Sequence, residues 1–287
     1  MREAKRPVDE LGWFRRDGEA FTPLPLARSL WSESQIHGVA VSGLLARALE
    51  RAVLALGRPE LVPARYHVDL FRAARMAETT ATATVVRQGP RLVLLDAVVQ
   101  QGDVRVARAT ATFLQPSTNP SGVVWSSEAG RPTPAPADLA PLADVFHVPL
   151  FASEKPWSDN WTEHQNAGRH QTWQTAVPIV AGEPVTPFQA VASVADATSM
   201  VTNWGSNGVE YINTDISLAL TRRPTGVAVG LRALDHVAAN GIAVGTAEVF
   251  DRAGPLGTAT VTALANARRT VDFSRSVPLG TAGTPGV

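Results

Sequence analysis

AVASVADATSMVTNWGSNGVEYINTDISLAL, residues 190–220, is the stretch whose reading decides the fold. It reads as a buried helix, a Gly-rich turn and a buried strand. From Phe188 to Trp204 there is no Lys, Arg or Glu, and most residues are small or apolar. A helix that is apolar nearly all round is normally enclosed by other structure. One charge interrupts it, Asp196. Gln189, Ser193, Asp196, Ser199 and Asn203 recur at three- and four-residue spacing and therefore share a face. A narrow polar stripe on an enclosed helix points to a polar cavity beside it.

Strand patterns follow this helix at Glu210–Leu220, Gly226–His236, Gly241–Phe250 and Gly257–Ala267, with turn signals at Asn240-Gly241 and Asp251–Gly254. The first half of the chain carries the same order. A helix begins at His37-Gly38, keeps an apolar period through Leu44, Leu45, Ala48, Leu49, Ala52 and Val53, and stops at Gly57 and Pro59. Strands follow at Tyr66–Phe71, Ala77–Val86, Arg91–Gln101 and Val104–Leu114. A long helix followed by an antiparallel meander is an α+β pattern. The halves superpose in sequence: YHVDLF at 66–71 falls on INTDIS at 212–217, and ARATAT at 107–112 on GTATVT at 257–262. Asp69 to Asp215 is an offset of 146 (215 − 69), and Thr110 to Thr260 one of 150 (260 − 110), which argues for an internal duplication. The expected organisation is an N-terminal unit at 1–116, a Pro/Ser/Gly-rich linker at 117–145, a C-terminal unit at 146–272 and a disordered tail at 273–287.

Composition narrows the function classes. With 287 residues, 45% hydrophobic and 18% charged, the chain can bury a sizeable core. Lys plus Arg and Asp plus Glu balance at 26 each, so no global field attracts nucleic acid or an anionic membrane. Cysteine is absent, which excludes disulfides, thiolate metal sites and a cysteine nucleophile. No run approaches the roughly 18 apolar residues of a membrane span, and the N-terminus lacks the apolar core of a secretory signal. Cytoplasmic location is the expectation. The histidines show no metal-ligand spacing, and there is no G-x-S-x-G, P-loop or GxGxxG. No metal and no cofactor are expected.

The whole arrangement resembles the hotdog fold, a sheet wrapped around one long helix. Two such units resemble the double-hotdog acyl-CoA thioesterases of the type II, TesB-like family. FTPLPLARSLWSESQIHGVAVSGLLARALE looks like that family's approach to its first helix, and ASVADATSM like its second helix with the aspartate. YINTDISLALTRRPTG looks like the strand that follows, and FDRAGPLGTATVTAL like the last hairpin. The resemblance runs from about Phe21 to Arg269. It implies hydrolysis of an acyl thioester in fatty acid or polyketide metabolism. In that family an aspartate, a hydroxyl residue on the next strand and a glutamine on the last strand hold the attacking water. Carried over, the aspartate is Asp196 and the strand residue is Asn213 or Thr214, since a one-residue slip reverses the face. The glutamine's place falls at Val261 or Thr262, and neither is an amide; Thr262 is the one that can bond a water. This departure motivates two other readings: a biosynthetic dehydratase pairing His37 with Asp196 or a polyketide-type cyclase using Asp196, and a non-catalytic acyl-binding module.

Each site residue also has a plainer reading. Burial pushes a carboxyl pKa upward and makes Asp196 a better base, but a buried Asp can equally be satisfied by backbone or Arg. His37-Gly38 offers helix N-terminal N–H donors for an oxyanion; His37 can also simply cap the helix. Arg72/Arg75 and Arg222-Arg223 suit the phosphates of coenzyme A or a solvated strand exit. Trp157, Trp173 and Trp204 suit an acyl pocket or ordinary core. Asp69 and Asp215, equivalent in the two repeats, suit a structural role. The expected partner is a small acyl thioester, with homo-oligomers left open because hotdog sheets offer edges.

Overall fold

The computed structural model describes residues 11–122, 136 and 147–274. Most of the expected linker and nearly all of the expected tail lie outside the described residues. Fifteen strands and three α-helices are defined among them. The first half holds β1 (Phe14–Asp17), β2 (Ala20–Pro23), α1 (Gly38–Ala55), β3 (Val62–Leu70), β4 (Thr79–Gln88), β5 (Leu92–Gln101) and β6 (Val104–Leu114). The second holds β7 (Leu150–Ala152), β8 (Gln171–Thr175), α2 (Pro187–Val194), α3 (Thr198–Asn203) and the short pair β9 (Trp204–Gly205) and β10 (Gly208–Val209). It ends with β11 (Tyr211–Asn213), β12 (Asp215–Leu220), β13 (Ala228–Ala239), β14 (Ile242–Asp251) and β15 (Gly254–Ala265).

Long antiparallel strands form because their residues alternate. In β5, LVLLDAVVQQ buries every second side chain, as a sheet packed on one face requires. Thirteen of the strands join into one sheet, order β1-β2-β4-β5-β6-β3-β12-β15-β14-β13-β8-β7 with β11 pairing β15, and β9 and β10 pair separately. The central eight read 4-5-6-3 and then 12-15-14-13. β3 pairs with β6 and β12 with β15, each the last strand of its own meander, and β3 and β12 pair with each other. The duplication is therefore visible in topology, and the fold is a tandem hotdog. α1 lies against β4, β5 and β6, α3 against β13, β14 and β15, and α1 packs on α2.

The seam between the halves is β3 on β12, where Asp69 stands directly opposite Asp215. Like charges across a ladder are unfavourable, and local donors offset this. His67 Nε2 lies 3.2 Å from Asp69 Oδ1, with its Nδ1 2.8 Å from Ser217 Oγ. Thr214 Oγ1 donates to Asp215 Oδ2 at 3.1 Å, and the Thr262 amide reaches the same oxygen at 3.3 Å. Asp69 and Asp215 thus have the structural surroundings that their symmetry suggested.

Two small-residue contacts bring α1 and α2 together. A Cβ on Gly43 would collide with Ser193 Oγ and Ile179 Cδ1. Ser42 Oγ donates to the Ala192 carbonyl at 2.7 Å, while Tyr66 OH donates to the Ser42 carbonyl at 2.7 Å. At the far end of the sheet Asp251, almost fully buried, accepts a bidentate pair from Arg222 (2.9 and 2.7 Å) and the backbone amides of Thr225 and Ala253, both at 2.8 Å. Arg222 is thereby a structural residue. Asp251→Ala would strand these donors and should lower unfolding free energy by about 2–4 kcal/mol, read from urea melts. A loss below about 0.5 kcal/mol, the range of ordinary surface changes, would contradict this role.

Candidate functional site

The enclosed helix of residues 188–204 is interrupted where the charge sits. α2 ends at Val194, a 3-10 turn spans Ala195–Ala197, and α3 resumes at Thr198. A 3-10 segment inside a helix is a local departure that often marks function. It turns Asp196 onto the first turn of α1, in the other half of the molecule. The carboxylate bonds the Val39 amide and accepts from Asn213 Nδ2 at 3.0 Å. It lies so close to the helix that any Cβ at Gly38 would overlap Asp196 Oδ1 and Oδ2. Gly38 is therefore required by the approach of a side chain.

Burial dominates the electrostatics. Desolvation raises the Asp196 carboxyl from 3.8 to about 6, against the opposing pull of the Asn213 and Val39 bonds. Unpaired helix N–H groups carry a partial positive charge, so a carboxylate at this end is favoured over one elsewhere in the core. No Arg or Lys appears among the causes of the shift. Of the two plainer readings of Asp196, neutralisation by Arg does not describe it, whereas a backbone partner is present in the Val39 amide.

His37 is the N-cap of α1. Its Nδ1 accepts from the Ala40 amide at 3.2 Å, and a second hydrogen bond runs to the Leu26 backbone. Burial lowers its pKa from 6.5 to about 4, so the ring is neutral at ordinary pH. The indole of Trp13 packs edge-on against it, centroids 4.6 Å apart.

The choice between Asn213 and Thr214 falls beside an irregularity in register. β11 pairs with β15 as Asn213↔Ala263, whereas β12 pairs as Ser217↔Thr260. The residue sums differ by one (476 against 477), so one extra residue is accommodated between Thr214, whose amide still bonds the Thr262 carbonyl at 2.8 Å, and Ser217. Asn213 reaches Asp196, and Thr214 lines the same cavity with its hydroxyl between Asp215 Oδ2 and the Thr262 carbonyl, each 3.1 Å away. Thr262 is not brought to the site. Along β15 Val261 and Ala263 are the buried positions, and Thr262 falls between them on the opposite face, opposite exposed Val244. Its only tie to this region is through its backbone.

A cavity of about 390 Å³ opens onto Asp196, His37, Gly38, Asn213 and Thr214. Most of its wall is apolar, including Ile36, Val41, Val194, Met200, Phe151 and Trp161. Ser193 and Ser199 of the polar stripe line it; Gln189 instead bonds Glu50 at 2.8 Å. Trp157, Trp173 and Trp204 do not line it, whereas Trp13, Trp31 and Trp161 do. Of the arginines, Arg28 and Arg72 stand at the wall, both exposed and without an ion pair among the described residues. Arg223 is committed to the Pro59 and Leu61 carbonyls. Trp13 and Arg28 escaped the sequence reading. Arg28 lies within the Pro-rich segment before the first helix, and Trp13 precedes a short hairpin with no apolar period. Among the described residues no cluster of His, Asp and Glu could hold a metal ion, and no helix is long and apolar enough to cross a membrane.

Comparison with known proteins agrees with this architecture. Residues 27–114 match the family model for the acyl-CoA thioesterase N-terminal domain, and residues 153–265 that for the acyl-CoA thioesterase C-terminal domain. Among solved structures, a TesB protein from Mycobacterium avium subspecies paratuberculosis is similar at 17% identity, covering 90% of this chain and 96% of its own, with a TM-score of 0.62. An acyl-CoA thioesterase II from Mycobacterium marinum is similar at 15% identity, over 90% and 96%, with a TM-score of 0.53. A hotdog-fold protein of unknown function from Alicyclobacillus acidocaldarius is similar at 19%, over 90% and 97%, with a TM-score of 0.55. At such identities the structures speak to the fold alone. No curated protein sequence matches the chain.

The Gly38 contact can be tested directly. Gly38→Ala must push the carboxylate off α1, so it should cost about 1–3 kcal/mol of stability and break the Asn213–Asp196 bond in a crystal structure. An alanine accommodated with the bond intact would show that the approach is less tight than described.

Proposed function

Since the chain belongs to the double-hotdog acyl-CoA thioesterase family, whose members are thioester hydrolases, we propose that Asp196 is the base that activates water in this reaction. The observation that carries the reading is the carboxylate held between Asn213 and the first turn of α1, inside an apolar cavity, with its pKa raised to about 6. A base with a pKa near the working pH is both ionised and basic enough to take a proton from water. The water oxygen attacks the thioester carbon as its proton passes to Asp196. The Gly38 amide, which has no protein partner among the described residues, together with the positive end of α1, stabilises the oxyanion. Collapse breaks the C–S bond, and the proton on Asp196 passes to the departing thiolate. A carboxylic acid and a thiol result. Asn213 fixes the carboxylate, and Thr214 lines the cavity wall beside it.

The dehydratase reading asks His37 to exchange a proton. Its engagement as a cap through Nδ1, with its pKa depressed, argues against that role. Coenzyme A as carrier is supported by Arg28 and Arg72 at the cavity wall, in place of Arg75, which does not line it, and of Arg222-Arg223, which are engaged elsewhere.

Asp196→Asn should abolish acyl-CoA hydrolysis while raising stability. The folded pKa, about 6, lies above the unfolded value of 3.8. Ionised Asp196 therefore costs stability as pH rises through about 6, and the cost is absent below about 4. The variant should be more stable than the parent at pH 8 by on the order of 3 kcal/mol, with the gain vanishing near pH 4. Retained hydrolysis in the variant would remove Asp196 from the chemistry. In the parent, kcat/KM should fall tenfold per pH unit below about 6 and level off above 7; a pH-independent rate would contradict the assignment. Replacing Arg28 and Arg72 together by Ala should raise KM for acyl-CoA roughly three- to tenfold and flatten its salt dependence, with little change for a short N-acetylcysteamine thioester. An equal loss on both substrates would place the two arginines outside carrier binding.

A further inference from the structure

The cavity has an open end and a closed one. At the open end Leu30 is 37% exposed, and Arg28 and Arg72 are exposed as well. At the other end the lining residues Trp161, Val209, Val271 and Phe273 are only 3% to 6% exposed. Met200 stands between the two. It lies four residues beyond Asp196 and lines the cavity, keeping accessible surface while Thr198, Ser199 and Val201 around it are buried.

The closed end is made by a strap, Val271–Phe273, that follows β15. It pairs with the β9–β10 hairpin: the Val209 amide donates to the Val271 carbonyl at 2.9 Å, and the Val271 amide to the Val209 carbonyl at 3.2 Å. A Cβ on Gly208 would overlap that same Val271 carbonyl, so the strap sits directly on the hairpin. Its other ties are side-chain bonds from residues 162 and 165. Gln165 Oε1 accepts from the Phe273 amide at 2.8 Å, and Gln165 Nε2 donates to Asp272 Oδ1 at 2.9 Å. Thr162 Oγ1 donates to the Phe273 carbonyl at 3.1 Å. The Phe273 ring is thereby held between the indoles of Trp161 and Trp204, centroids 5.3 and 4.6 Å away. The match to the acyl-CoA thioesterase C-terminal domain ends at residue 265, so it does not cover this wall.

We infer that Phe273 is a specificity-determining residue: it is the wall at which the far end of the acyl chain stops, and it sets the longest chain accepted. With the carrier at the arginines and the thioester carbon at Asp196, the chain runs past Met200 toward the strap. Met is adaptable and tolerates chains of different shape. The strap is not: a chain too long for the site has to displace a ring packed on two indoles, and interiors this dense resist added volume. Moving that ring also strains the Gln165 and Thr162 bonds, because they end on the backbone of the same residue. The inference rests on the thioesterase reading of the same cavity.

The test measures kcat/KM on the full chain for saturated substrates from butanoyl-CoA to palmitoyl-CoA. In the parent it should fall by about tenfold or more within two carbons of the longest chain accepted. Phe273→Ala should move that fall by about two to four carbons toward longer chains. Gln165→Ala, which leaves the ring in place and removes two of its strap bonds, should move it in the same direction and serves if the first variant fails to fold. No fall in the parent up to palmitoyl-CoA, a limit that stays where it was in the variants, or a loss of equal size at every length would overturn the inference. If no thioester is cleaved, the hydrolysis reading fails separately. Calorimetric binding of the free fatty acids then decides: a chain length beyond which affinity drops, shifted upward in Phe273→Ala, supports the inference, and an unshifted or absent limit refutes it.

Discussion

A carboxylate pressed against the first turn of a helix from the other half of the molecule is the constraint on which the rest depends. An isolated ionised group inside a protein costs several kcal/mol, and here no cation shares it. What offsets the cost is geometry: the Val39 amide, the Asn213 amide and the aligned peptide dipoles of α1. These act only at contact distance. Gly38 has no side chain because the carboxylate occupies its place, and Gly43, Ser42 and Ala192 let the helices approach. The 3-10 turn at Ala195–Ala197 is the backbone departure that delivers Asp196 to that point, and β11 brings Asn213 to meet it just before the register slips.

The duplicated fold supplies a second helix start, and the contrast explains why one became a cavity. α2 is capped by Thr186, whose hydroxyl donates to Glu50 at 2.7 Å, and Gln189 Nε2 donates to the same oxygen at 2.8 Å. Beside it Arg47 makes a bidentate pair with Glu183, both bonds 2.7 Å, and lies over the ring of Phe21. Each helix thus meets an acid from the opposite half. At α2 long charged side chains fill the space and satisfy one another. At α1 a short aspartate, a glycine and small neighbours leave room, and the carboxyl keeps its raised pKa.

Much of this was legible in the sequence, for physical reasons. Alternation in VRVARATATF and the offsets between Asp69 and Asp215 expose the meanders and the repeat, because one-sided burial imposes a period of two. The lone charge in residues 188–204 exposes the enclosed helix. The register at Asn213 and Thr214 was not legible: an extra residue in a strand leaves no compositional mark when both candidates are polar. The hairpin of β1 and β2 was also hidden, being four residues a strand, and with it the place of Trp13. Arg222 suited either a phosphate or a solvated strand exit; its bidentate pair with Asp251 is a contact between residues 29 apart that no local pattern reports.

The absent glutamine acquires a physical account from Asn213. In the family that this chain resembles, carboxylate, hydroxyl and amide come from three elements. Here the inward positions of the last strand are Val261 and Ala263, which can bond nothing. Asn213 and Thr214 both line the cavity, but the Thr214 hydroxyl is taken up by Asp215 Oδ2 and the Thr262 carbonyl, while the Asn213 amide bonds Asp196. On the proposed reading an amide therefore still sits beside the carboxylate, supplied by the strand after the second helix instead of by the last strand. Val261 is then free to be apolar, and it packs as core.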